Sequence, residues 1–235
     1  WVLGSYGNLL GETTMSESDL LGKWMVKHSQ LYNRATRHPF ILSIGDGSVD
    51  ILSFKRWLAQ DYIFVREFAP FVASVLIKAS KEFKCSDAMD VILGGVAALH
   101  DEIAWFKREA IKWDVSLSNT IVHPSNLSYC RFLESVMLPE VPFPVAITAF
   151  WAIEAVYQES FAHCLEDGKK TEAELVEVCE RWGNREFGLY CQSLSGIAAR
   201  ALHEAPMEVQ EKAEATFLHV LEHEIEFWNM SDGLT

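Results

Sequence analysis

Val145 to Tyr157 reads VAITAFWAIEAVY, thirteen residues with a single charge, Glu154. No turn residue interrupts it, and its apolar side chains surround a helical wheel rather than lining one stripe. A helix that is apolar all round lies at the centre of a helical protein. The segment continues as a helix over 143–166, and Glu154 would then be buried in a core.

Helical periodicity extends outward from this segment in both directions. It predicts further helices at 17–36, 51–79, 87–113, 124–138, 172–182, 185–204 and 207–230. His38-Pro39-Phe40 ends the first, because a residue before proline avoids the α region. Gly45-Asp46-Gly47-Ser48 reads as a turn. Leu165-Glu166-Asp167-Gly168-Lys169 is a stop, with Gly168 free to take the left-handed conformation. Thr171 and Glu174 have the spacing of a capping box. With 13 Gly and 7 Pro in 235 residues, punctuation is too sparse for a β-rich fold. The expected fold class is all-α, an up-and-down helical bundle forming a single domain over 15–235. Trp1 to Thr14 carries one charge, Glu12, and Met15-Ser16-Glu17-Ser18 resembles a start, so residues 1–14 are expected to be an N-terminal extension outside the fold.

The formal net charge of −13 disfavours nucleic acid and anionic membrane surfaces as partners. No stretch reaches the length of a membrane span. Cys85, Cys130, Cys164, Cys179 and Cys191 form no CxxC pair, and an odd, scattered set suits buried thiols in a reducing compartment. A cytoplasmic location is expected.

Three helices spend a core position on an acid. On the second, Phe54, Trp57, Leu58, Phe64, Val65 and Phe68 share a face centred on Asp61. On the last, Phe217, Val220, Leu221, Ile225, Phe227 and Trp228 make an arc with Glu224 in its middle. Glu154 is the third case. A weaker fourth is Glu102, among Ala98, Leu99, Trp105 and Phe106, with Glu109 further along. Buried ionised groups cost several kcal/mol each unless paired, and only 20 Lys and Arg are available, few of them on apolar faces. Convergence on one polar pocket is the economical reading. Carboxylates packed in low dielectric have raised, coupled pKa values that suit acid–base work near neutral pH. A separately satisfied buried carboxylate is the plainer alternative for any one of them.

Other motifs carry less. A di-iron bundle needs Glu-x-x-His on two helices, and none occurs. His219-Val220-Leu221-Glu222-His223 matches the H-x-x-E-H zinc pattern, yet its His and Glu residues lie outside the apolar arc. No metal or cofactor is expected. Gly94-Gly95 falls mid-helix, where a kink or a close helix contact is the plain reading. Trp57, Phe64, Phe150, Trp151, Tyr157 and Trp228 are mostly core, with a minority able to stack on a flat ligand.

At these same residues the chain resembles the TenA/thiaminase II family. The resemblance rests on HPF at 38–40, IGDGS at 44–48, FKRWLAQDY at 54–62, FWAIEAVYQE at 150–159 and EHEIEFWNMS at 222–231. It implies a haem-oxygenase-like bundle, a homodimer or homotetramer, and action on the pyrimidine half of thiamin and its breakdown products. By the same resemblance Asp61 contacts the pyrimidine nitrogens and Glu224 is the catalytic glutamate. Phe64 stands where many members have a pocket Tyr, and Glu154 replaces another. A further pocket Tyr would fall near 182–186, within RWGNREF. Phe150 occupies the place of the nucleophilic Cys of bacterial thiaminase II, which points to the cysteine-lacking TenA-E branch found in plants among others. Cys164 is fourteen positions along the helix, about 20 Å away at 1.5 Å per residue, and is a poor substitute.

The expected activity is therefore hydrolysis of aminopyrimidines in thiamin salvage. The candidate catalytic residues are Glu224, Glu154 and Asp61; Asp61, Phe64, Glu154, Tyr157 and Trp57 are expected to bind the substrate. A TenA-like protein that binds a pyrimidine without turning it over is the rival from another class. A haem-binding bundle, with His28 as the ligand to suspect, is a second.

Overall fold

A computed structural model describes residues 20–82 and 87–231. The expected extension at 1–14 and Cys85 lie outside these residues. The described residues form ten helices: α1 (Leu20–Lys27), α2 (Ser29–Thr36), α3 (Pro39–Asp46), α4 (Ile51–Glu82), α5 (Asp87–Lys112), α6 (Pro124–Met137), α7 (Phe143–His163), α8 (Ala173–Gly183), α9 (Arg185–Glu204) and α10 (Met207–Ser231). The class is all-α, as the periodicity predicts. Among the described residues no helix is long and apolar enough to cross a membrane.

α7 is the axis of the bundle. It packs against α4, α8, α9 and α10, and sixteen of its 21 residues are buried. That all-round contact is what an all-round apolar helix requires. Aromatic side chains fill the layers around it. Trp57 packs against Phe161 at 5.7 Å and Trp182 at 5.9 Å, and Tyr157 against Trp228 at 5.1 Å between ring centres. Edge-on and tilted pairs of this kind add about 1 kcal/mol each to the burial itself.

The structure departs from the sequence reading in three places. The helix expected over 17–36 divides at His28, whose backbone leaves the helical region at φ −109° and ψ 23°. The His28 ring reaches Glu214 of α10 at 2.7 Å, anchoring the break. Second, Pro39 starts a helix where it was read only as ending one. The His38 ring accepts from the Phe40 N–H at 3.2 Å and caps α3, which buries Phe40, Ile41 and Ile44. Pro at a first helical position loses no hydrogen bond. His123-Pro124 repeats the device on α6, where the His123 ring accepts from Ser125 N–H at 3.2 Å.

Third, Thr171 does not cap α8. Glu172 holds the N-cap position without a side-chain bond. The Thr171 hydroxyl donates instead to the Cys164 carbonyl at 2.6 Å, satisfying the end of α7. Gly47 closes α3 at φ +68°, and a Cβ there would stand 2.4 Å from the Lys170 carbonyl oxygen, so only glycine fits this turn.

Candidate active site

Four helices deliver four carboxyl groups to one region beside α7: Asp61 from α4, Glu102 from α5, Glu154 from α7 and Glu224 from α10. Glu102 and Glu224 each act on the protonation of both Asp61 and Glu154. Asp61 and Glu224 are sealed from solvent. Glu102 and Glu154 are less completely enclosed.

Each acid except Glu154 has a neutral donor on one oxygen. The Tyr157 hydroxyl donates to Asp61 Oδ1 at 3.0 Å. The Tyr129 hydroxyl, on α6, donates to Glu224 Oε1 at 2.7 Å. The Trp182 indole N–H, on α8, donates to Glu102 Oε1 at 3.2 Å. The second oxygens are a different matter. Asp61 Oδ2 and Glu224 Oε2 are buried and have no hydrogen-bond partner, and neither does the Tyr190 hydroxyl on α9. Trp57 Nε1 approaches the Tyr157 hydroxyl but also meets no acceptor at bonding distance. Native proteins satisfy nearly all buried polar atoms. Asp61 Oδ2, Glu224 Oε2 and the Tyr190 hydroxyl are exceptions to that rule.

Burial is the first cause of the electrostatics here. It raises Glu224 to about 8, against a smaller lowering by the Tyr129 hydrogen bond. Burial lifts Asp61 well above the ordinary carboxylate range, and Glu102 and Glu224 push it further, while Tyr157 and Arg181 oppose. Glu154 is raised by burial, then by Glu102 and Glu224. Glu102 is raised by burial too, but Arg181 and Trp182 pull it back. The Arg181 guanidinium lies 4.8 Å over the Trp105 ring and 5.6 Å over that of Trp182, with its Nε buried and unpaired. Glu102 is thus the member of the cluster with nearby groups opposing its rise most directly, while burial and neighbouring acids push Asp61 and Glu154 well above the ordinary carboxylate range.

Of the residues singled out from sequence, Asp61, Glu154, Glu224 and Tyr157 come together. Trp57 is wholly buried next to Tyr157 and Trp182. Phe64 stands behind Tyr129, 4.6 Å between ring centres, and against Phe227 at 5.4 Å. Glu102, the weaker fourth acid, belongs to the cluster, whereas Glu109 is separately satisfied by Trp113 Nε1 at 3.0 Å and Lys112 Nζ at 3.2 Å. Tyr129, Arg181, Trp182 and Tyr190 are additions of the structure. On a wheel their rings and stem resemble core, and nothing in a single sequence reports that a phenol or guanidinium turns inward. Trp182 opens the stretch 182–186 in which the resemblance implies a further pocket Tyr, and no Tyr stands there.

Phe150 is fully buried one turn before Glu154, edge-on to Phe68 at 5.7 Å between ring centres. Cys164, at the C-terminal end of α7, is buried against the Ile41 and Ser160 carbonyls. Among the described residues no group of three His, Cys, Asp or Glu is placed to hold a metal ion. Of the zinc-like trio, His219 and Glu222 are exposed, while His223 stacks on Tyr129 at 4.8 Å and 9°. His28 is engaged with Glu214, which also takes Lys27 at 2.7 Å. Two open surface hollows, one beside Lys27, His28 and Arg34 and one beside Ser74, Lys78 and Pro142, are lined by none of the cluster residues.

The arrangement can bind a flat, nitrogen-rich molecule in a region of raised-pKa acids and aromatic walls. Known proteins are similar to the chain throughout this region. The model of the TENA/THI-4/PQQC family matches residues 25–233. A Glycine max protein named Probable bifunctional TENA-E protein is 63% identical over 210 residues, covering 89% of this chain and 92% of that one. A Helicobacter pylori aminopyrimidine aminohydrolase is 22% identical over 227 residues, covering 90% and 98%. A solved TenA homologue from Pyrococcus furiosus superposes with a TM-score of 0.82 at 22% identity, covering 90% of this chain and 98% of that one.

Proposed function

The chain belongs to the TENA/THI-4/PQQC family, and we propose that its acidic pocket hydrolyses thiamin-derived aminopyrimidines, releasing ammonia from 4-amino-5-aminomethyl-2-methylpyrimidine and formate from its N-formyl derivative. The observation that carries this reading is the pair of buried, unpartnered oxygens, Asp61 Oδ2 and Glu224 Oε2, on acids that burial raises above the ordinary carboxylate range. The similarity to a TENA-E protein and to an aminopyrimidine aminohydrolase supports it. In the cell the protein would work in thiamin salvage in the cytoplasm, as a homodimer or homotetramer.

A neutral carboxyl group matches an aminopyrimidine edge at two points. Asp61 Oδ2–H donates to a ring nitrogen, and the other oxygen, already holding Tyr157, accepts from the 4-amino group. Glu224 sits at about 8, so at neutral pH it holds the proton that a general acid must give. It protonates the departing amine. Electron release from the 4-amino group helps break the CH2–N bond. Water then adds its oxygen to that carbon and returns a proton to Glu224. The sum is aminomethylpyrimidine plus water giving hydroxymethylpyrimidine plus ammonia. Glu154 orients the water. In the deformylation the same acids direct water at the formyl carbon. No thiol is required, in keeping with Phe150 in the middle of α7.

The test is ammonia release from the aminomethylpyrimidine, formate release from its N-formyl derivative and thiazole release from thiamin, all with purified protein. Turnover of either of the first two with thiamin intact is the expected result. Tight pyrimidine binding without turnover would leave a binding protein and overturn the hydrolase.

A further inference from the structure

Gly95 sits in the middle of α5, where glycine costs a helix about 1 kcal/mol relative to alanine. Its neighbour shows what that glycine does. A Cβ on Gly94 would meet nothing within 4 Å, whereas a Cβ on Gly95 would stand 2.3 Å from the Tyr190 hydroxyl, 3.4 Å from Tyr190 Cζ and 3.3 Å from Phe150 Cζ. The hydroxyl alone fills the space left by the missing methyl. It is buried and without a hydrogen-bond partner. Phe187 packs on the ring at 5.9 Å and Phe150 at 6.5 Å between centres, fixing its direction. After burial the largest influence on this phenol is Glu154, from α7, then Cys191, and Glu102, from α5, also acts on it.

We propose that Tyr190 is a further ligand-contacting residue, its hydroxyl seated in a notch cut by Gly95 and donating to the substrate substituent or water that lies against Glu154. The inference rests on the aminopyrimidine reading above. With Asp61 holding the ring nitrogens, Glu154 faces the reacting substituent, and Tyr190 is grouped with Glu154 and Glu102 rather than with Asp61. Two aromatic contacts hold the ring in place, so the hydroxyl is preorganised, and an unpaired buried donor is what a bound acceptor would complete.

The experiment compares the wild type with Tyr190→Phe, Gly95→Ala, the Gly95→Ala/Tyr190→Phe double variant and Gly94→Ala. Ammonia release from 4-amino-5-aminomethyl-2-methylpyrimidine and calorimetric binding of the hydroxymethyl product are both read, with thermal unfolding beside them. Tyr190→Phe is expected to lower kcat/KM about 100-fold. Gly95→Ala should do the same by displacing the hydroxyl, and Gly94→Ala should match the wild type. In the double variant the added methyl meets only ring carbon, Phe150 Cζ at 3.3 Å and the ring of residue 190 at 3.4 Å, a tight fit relieved by a shift of a few tenths of an ångström, so its activity should equal that of Tyr190→Phe alone and its fold should be kept. Activity of Tyr190→Phe within twofold of the wild type overturns the proposal. So does a double variant whose loss is the product of the two single losses. A wild type that turns over nothing sinks the hydrolase reading instead. Binding then decides the notch, with tenfold weaker product binding by Tyr190→Phe supporting it and unchanged binding overturning it.

Discussion

The Tyr129 hydroxyl meets Glu224 Oε1 at 2.7 Å from a helix 95 residues away in sequence, and leaves Oε2 bare. One oxygen is fixed and the other is free to exchange a proton. Replacing Glu224 by Gln keeps the acceptor for Tyr129 and removes the proton. Turnover should fall at least 1000-fold, with helix content and pyrimidine binding retained; activity within tenfold of the wild type would remove Glu224 from the chemistry. Tyr129→Phe acts more subtly. Its hydrogen bond is the one influence lowering Glu224, so its loss should move the alkaline limb of the pH–rate profile to higher pH.

The same group makes stability depend on pH. The folded state holds the Glu224 proton up to about 8, while an unfolded Glu releases it near its ordinary value of 4.5. Between those values the unfolded chain binds fewer protons, so this residue's contribution to stability is whole below about pH 4.5 and is lost as pH rises through 8. Glu224→Gln removes the effect. Chemical denaturation should find the variant more stable than the wild type at pH 8, by on the order of a few kcal/mol. The two should converge near pH 4.5. Equal stability at both pH values would mean that Glu224 ionises freely in the fold.

Arg181 is stacked over Trp105 and Trp182, and its charge lowers Glu102. Its replacement by Met should raise the Glu102 pKa and leave the pocket without its most readily ionised acid. An aminomethyl substrate arrives from neutral solution as an ammonium ion and must shed a proton to an ionised carboxylate before Glu224 can protonate the leaving group, so KM should rise about tenfold, with a smaller change in kcat. The acid limb of kcat/KM should move upward in pH. Arg181→Lys should not restore the wild-type profile, because an ammonium cannot stack as a guanidinium plane does. An acid limb that stays in place would disconnect Arg181 from the site.

What the sequence discloses about this site follows a physical rule. Asp61, Glu154 and Glu224 stand out because a charge in an apolar arc violates the usual pattern. Glu102 is less visible because its arc on α5 is narrower and it is partly exposed. Tyr129 and Tyr190 cannot be seen at all, since a phenol ring satisfies an apolar face whichever way its hydroxyl points. Gly95 reads as a kink or close contact, and only the structure shows that the contact is one hydroxyl. The helices are legible for the same reason as the acids. α3 is missed because His-Pro ends one helix and caps the next in three residues, and the reading of Thr171 fails because a hydroxyl can serve the helix behind it as readily as the one ahead.

Lys78 tests whether the frame behind α7 can be weakened without touching the chemistry. Its ammonium is nearly buried and donates to the Leu138 carbonyl at 2.6 Å and the Val141 carbonyl at 2.8 Å, tying α4 to the turn that launches α7. Both acceptors would be left without this donor in Lys78→Met, at a cost of about 2–3 kcal/mol for charged hydrogen bonds of this kind. Met covers the same apolar stem, so packing is largely preserved. Thermal unfolding should therefore drop by several degrees, while kcat at 25 °C stays within twofold of the wild type, because Asp61 and Glu224 are held by their own contacts to Tyr157 and Tyr129. A large loss of kcat with little change in unfolding temperature would mean that the start of α7 sets the register of Glu154 directly.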